Sequence, residues 1–290
     1  MSTACERQPS EFASLGPGPL RADAFDLVAI TALINLSQIA HSSFYLLVVI
    51  LASGCAMIWR RARRSAWFWM ALAAVWAPRL ILHWETNEDH VYVGAYWCLA
   101  IGLSLLGGDA PTILARNARW MIGLTFALAC VWKLTSADYL DGSLFHYKLL
   151  FDYRFREGLT IPLAGLSMDT ALANVEAIRE LRNAGSDLRE VSLQFPAKVS
   201  WLAQAMTWWT LLIEAALALM FLFANHPFCR RLKDVGLLVF ALTTYLVVPV
   251  LGFGCLFMSM GLAQCEPRQH YARWAYFITS LILMAFMNLG

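Results

Sequence analysis

Four ionisable residues stand in or beside long apolar runs that would ordinarily exclude them: Arg79, Lys133, Glu214 and, at the edge of one run, His90. Burial disfavours the ammonium form of a lysine, lowers its pKa and turns it into a base near neutral pH. Lys133, near the end of RWMIGLTFALACVWKLTSADYLDG, therefore has two readings: a general base, or an anchor that snorkels its charge to an interface. Glu214 lies past the midpoint of its run, where a carboxylate is expensive. A protonated carboxyl bonded to a neighbouring helix, through Tyr245 for instance, would relieve that cost. Arg79 sits near one end of its run, about 15 Å from Glu214 in depth at helical rise, so those two are not expected to pair. His90 reads either as a solvated loop histidine or as a proton-transfer group. His83 and His90 with Glu85, Glu88 and Asp89 lack tight ligand spacing, and no metal is expected.

These residues need a scaffold, and composition names its class. Hydrophobic residues make up 59% of the 290 and charged residues 14%, with a mean hydropathy of +0.56. That pattern predicts an all-α, polytopic transmembrane helix bundle, a multi-pass integral membrane protein whose first partner is the lipid bilayer. A net charge of +2 implies no nucleic-acid partner. Residues 1–24 read as a polar tail and 25–290 as the membrane domain. Apolar segments fall at 25–40 (a half-helix or interfacial segment), 43–59, 66–82, 91–106, 119–136, 201–223, 235–258 with a kink at Pro249, and 271–288.

Basic loops at 60–64, 116–119 and 226–233 alternate with the acidic HWETNEDH connection at 83–90. By the positive-inside rule the basic loops face the cytoplasm, which puts Lys133 and His90 near the outer surface. The 137–199 stretch becomes an extracytoplasmic helical insertion, with MDTALANVEAIRELRNAG as a helix stopped by Gly185. The seven cysteines form no CxxC pair and read as small hydrophobes. Cys255 and Cys265, flanking the outer end of the 235–258 span, are the one pair considered for a disulfide.

WKLTSADYLDG resembles a motif in the membrane domain of the vitamin K-dependent gamma-carboxylase family, and especially its bacterial HTTM relatives: a lysine-leucine pair, an acid, an aromatic and an acidic-glycine step. Lys133, Leu134, Asp138, Tyr139, Asp141 and Gly142 occupy those places. NEDHVYVGAYW is similar to the family's Asn-rich loop, with His90, Tyr92 and Gly94 in matching positions, and WWTLLIEAALAL, with Glu214, looks like its later spans. The resemblance covers roughly 25–290. It implies that Lys133 deprotonates a vitamin K-like quinol while His90 assists, with Asp138, Tyr139, Asp141 and Glu214 around the ligand; Arg79 joins that set because its expected depth matches that of Lys133. The carboxylase's large luminal domain has no counterpart in these 290 residues, so carboxylation of a protein substrate is not expected.

Two functions follow. One is a quinol-binding, enzyme-like membrane protein, placed in the cytoplasmic membrane if bacterial, with a carboxylase- or oxygenase-like reaction. The other is a non-catalytic membrane partner or maturation factor that docks a protein on 137–199. A transporter is disfavoured by the lack of paired broken helices in matching halves.

Overall fold

The structure, a computed structural model, describes residues 24–39, 43–183, 192–245, 251–266 and 269–289, and every regular element among them is helical. In chain order these are α1 (Ala24–Ile39), α2 (Ser43–Ile58), α3 (Arg60–Arg63), α4 (Ala66–Leu82), α5 (Asp89–Leu106), α6 (Ala110–Thr135), α7 (Ala137–Leu140), α8 (Ser143–Phe151) and α9 (Tyr153–Phe155). A π-helix (Arg156–Ala164) follows, then α10 (Met168–Asn183), α11 (Ala197–Leu222), α12 (Pro227–Tyr245), α13 (Leu251–Ala263) and α14 (His270–Leu289). Among the described residues two helices, Asp89–Leu106 and Ala197–Leu222, are long and apolar enough to cross a membrane, and shorter apolar helices accompany them. The 1–23 tail, Gly185 and Pro249 lie outside the described residues.

Two ends organise the bundle. At the basic end, Asp26 at the start of α1 binds Arg60, Arg63 and Arg64 at 2.8, 3.0 and 3.3 Å. The starts of α6 and α12 and the α13–α14 connection meet α1 there too. The basic loops are thus gathered at one end, and RRARR also latches the first helix. At the opposite end lie the α4–α5 turn and the α7–α10 elements.

Residues 25–59 divide close to the expected segments at 25–40 and 43–59. They form two helices of 16 residues each, and α1 runs the whole way from the basic end. Antiparallel to it, α13 is tied in by Asn35, whose amide donates to the Cys255 carbonyl at 2.6 Å. A 16-residue helix rises about 24 Å, short of the roughly 30 Å of a hydrocarbon core.

The expected single span at 235–258 is also corrected. Lys233 near the start of α12 meets Gln264 beyond the end of α13, while Tyr245 at the end of α12 packs where Gly254 opens space near the start of α13. The chain therefore reverses between α12 and α13. This removes the Cys255–Cys265 disulfide: the two lie ten residues apart along and just past α13, about 15 Å at helical rise against the 7 Å a bridge allows. Both thiols are free.

α5 runs parallel to α13, fixed by the Trp97 indole donating to Ser259 Oγ at 3.0 Å. α6 begins where the Asp109 carboxylate accepts from the Thr112 amide and Pro111 fits the first turn. Its partner α11 begins after Pro196 and extends past the end of α6. Its first turns, through Val199 and Ala203, belong to a second apolar cluster with Tyr139, Phe145, Leu149 and Phe155. From Leu217 onward it joins the main core.

Candidate functional site

The site forms where α6 ends and α11 continues. Ser136 leaves the helical region (φ −94°, ψ 114°), stopping α6 two residues after Leu134 and starting the short α7. Asp141 then accepts from the Ser143 amide at 2.8 Å, and Gly142 turns the chain at φ +85° into α8. That left-handed conformation suits glycine, and an added Cβ would also lie 3.1 Å from Gln204 Oε1. The turn folds Tyr139 back under the end of α6, where it is 2% exposed.

Lys133 and Glu214 form an ion pair across α6 and α11, with side chains only 12% and 11% exposed. The ammonium lies 5.2 Å from the centre of the Tyr139 ring, in cation–π range. The Tyr139 hydroxyl contacts Thr210 Oγ1. Thr210's own proton goes to the Met206 carbonyl at 2.9 Å, so Tyr139 is the donor in that contact. Burial pushes the Tyr139 phenol up to about 12, which keeps it a donor at neutral pH. A buried lysine, a buried carboxylate and a fixed phenol are groups that can chemically hold, share or pass a proton.

Glu214 thus has Lys133 as its partner rather than the Tyr245 hydroxyl. The sequence-based depths failed because α11 starts at Ala197 and projects beyond the bundle, bringing Glu214 level with the end of α6. Cys130 Sγ, 3.9 Å from the Leu211 carbonyl, records the same register.

The other expected site residues lie elsewhere. Arg79 closes the α4–α5 turn: its Nε donates to Asn87 Oδ1 and the Asn87 amide donates back to the Arg79 carbonyl, both at 2.9 Å. Its guanidinium stacks 5.7 Å from the Tyr45 ring. His90, 4% exposed, faces α13. An added Cβ on Gly252 would come within 2.2 Å of its ring, and Phe253 meets it edge-on at 5.8 Å. Its Nδ1 is 3.2 Å from Glu88 Oε2. Lys133 and His90 belong to the same end but contact different helices, and neither lines the cleft between α8, α10 and α11 or the cavity at the basic end. Asp138 is exposed on α7.

Asp141 lines a cleft of about 460 Å³ between α8, α10 and α11. Gly142, His146, Tyr147, Phe151 and Gln204 share its walls. The Ser143 amide holds the exposed Asp141 carboxyl below its usual range. His146, which sequence reasoning passed over, has Nε2 3.2 Å from Ser200 Oγ, and partial burial lowers its pKa. A second omission is at the basic end. Lys233, Asp234, Gln264 and Tyr276 form a buried network in which Asp234 Oδ1 accepts from Lys233 at 3.0 Å and from Tyr276 at 2.8 Å. The i, i+1 Lys-Asp pair at the end of a basic run resembled any solvated loop, so only the packing of α13 and α14 reveals it.

No protein-family model matches the chain, and neither the curated proteins nor the solved structures contain a match.

Proposed function

We propose that this is a multi-pass membrane protein in which the Lys133–Glu214 pair handles the proton of a small lipid-soluble hydroxyl compound, with a quinol as the leading ligand class. The observation that carries the reading is the buried pair itself. Apolar side chains of similar volume would serve packing as well or better than two desolvated charges, so such a pair is a weak stability device and a better proton-handling one.

The membrane setting is supported by large apolar side chains left outside the core. Leu128 on α6 and Leu212 on α11 are 66% and 64% exposed, and such faces suit lipid better than water. The gathered basic end supports a cytoplasmic orientation for that end, with α7–α10 on the outer side. The resemblance to HTTM and gamma-carboxylase membrane domains supports the quinol.

The proton steps balance without any further reactant. Shifting the proton within the pair gives a neutral amine and a carboxylic acid, a form that low dielectric favours over separated charges. The amine then takes the proton of the bound hydroxyl, leaving an ammonium facing an oxyanion. Tyr139 holds the ammonium by its ring face, and Glu214 stores the first proton.

Lipid extracts of the purified protein, read by mass spectrometry, test the ligand; a quinone is expected with the wild type and is lost with Glu214→Leu. Complementation of a deletion phenotype tests the base. Lys133→Arg keeps the charge but cannot present a neutral nitrogen, so it should abolish function at normal membrane abundance. Full complementation by Lys133→Arg with no quinone in the extract would refute the reading.

A non-catalytic docking role is the second reading, favoured by the cleft between α8, α10 and α11. A protein partner co-purifying without quinone, and lost with substitutions at Tyr147 and Gln204, would favour it.

A further inference from the structure

At the basic end, a cavity of about 380 Å³ opens between the starts of α1, α6, α12 and α14 and the end of α13. Arg119, Arg230, Lys233 and Arg273 line it, against a single acidic lining residue, Glu266. Topology alone requires only that cations lie in the basic loops. It does not require four of them, from three different helices, to border one hollow.

The pairing of these cations is uneven. Lys233 is 4% exposed and held by Asp234 at 3.0 and 3.1 Å, with the Gln264 carbonyl as a further acceptor. Gln264 and Tyr276 in turn donate to Asp234, so α12, α13 and α14 are locked around a neutralised, immobile Lys233. The arginines are different. Among the described residues no carboxylate pairs with Arg119, Arg230 or Arg273. Arg273 gives one Nη2 bond to the Cys265 carbonyl at 3.2 Å, and its buried Nε has no hydrogen-bond partner. A buried guanidinium donor without an acceptor carries a desolvation penalty that an incoming anion would remove. The lining also includes the apolar side chains of Val28, Leu114 and Leu262.

We infer that this cavity is a binding site for a phosphate-bearing group, seated on the Arg119, Arg230 and Arg273 guanidiniums above Lys233. Planar guanidinium forks match tetrahedral phosphate oxygens, and three from separate helices can enclose one. The group is supplied by an anionic phospholipid headgroup, whose first chain carbons would lie on the apolar side chains of the lining, or by free phosphate. The site lies at the opposite end of the bundle from the Lys133 pair and does not depend on the function proposed for that pair.

The test uses the full chain in neutral detergent micelles, with unfolding followed by fluorescence. Dioleoyl phosphatidylglycerol, dioleoyl phosphatidylcholine and inorganic phosphate are titrated separately. A saturable rise in Tm with phosphatidylglycerol alone identifies a lipid headgroup site. The same rise with inorganic phosphate identifies a free phosphate site. Either response should disappear in Arg119→Gln/Arg273→Gln. Arg230→Gln, at an exposed position that leaves the Lys233 network untouched, should raise the half-saturating concentration about fivefold, the effect of one basic charge at such a surface. This single variant carries the test if the double variant does not fold. Equal responses to phosphatidylcholine and phosphatidylglycerol without a phosphate response, no response at all, or unchanged half-saturation in Arg230→Gln would overturn the site.

Discussion

Replacing the Lys133–Glu214 pair one partner at a time, and then both together, separates a buried ion pair from two solvated charges that happen to meet. Each side chain is about nine-tenths withdrawn from the surface. Lys133→Met strands the carboxylate, and Glu214→Leu strands the ammonium. Breaking a buried pair this way costs about 3–5 kcal/mol. The lower end applies here, because the orphaned group can shed its charge by gaining or losing a proton. The double variant leaves no orphan, and its volumes match the pair, so its stability should fall within about 1 kcal/mol of wild type or exceed it. The assay is equilibrium unfolding of all four proteins in one detergent, read by tryptophan fluorescence and closed as a double-mutant cycle. Two singles that each cost under about 1 kcal/mol, with an additive double, would mean a solvated pair. The proton-handling reading would then lose its physical basis.

Gly252→Ala would drive a methyl into the His90 ring, 2.2 Å from Cδ2, and should destabilise the fold by about 1–3 kcal/mol, as overpacking does; His90→Ala in the same chain should relieve much of the loss in a thermal unfolding series. His146 has a folded pKa below its unfolded value. The unfolded chain therefore binds its proton first, and stability falls as pH drops below about 6.5 and is fully present above it. The Tm difference between wild type and His146→Gln, followed from pH 8 to 5, should show that slope; a flat difference would reject it. Cys255 and Cys265 should both react with a maleimide in the denatured, unreduced protein, and a Cys255–Cys265 disulfide mapped by peptide mass spectrometry would contradict their separation along α13.

Much of this architecture is legible along the chain. The apolar runs with Gly, Pro and charged breaks between them forecast an all-helical protein, and α4, α5 and α10 fall close to their expected bounds. The alternation of RRARR, HWETNEDH and HPFCRRLK forecast that the basic loops share one end, because loop charge is written locally, residue by residue. Lys133 and Tyr139 are placed in one site only through the resemblance at WKLTSADYLDG. Three things were not legible. The apolar stretch 235–258 holds no charge to mark a reversal, so one span and two antiparallel helices look alike in hydropathy. The Lys133–Glu214 pair depends on how far α11 projects beyond α6, a register fixed by the packing of Val199 and Ala203 on the α7–α10 elements. Arg119, Arg230 and Arg273 each satisfy the charge bias of a loop, and they border one cavity only because α13 returns to the basic end and carries Gln264 onto Lys233. Hydropathy and local charge are properties of single segments, whereas pairings between distant helices are set by which faces fit in three dimensions, and that choice belongs to the tertiary structure alone.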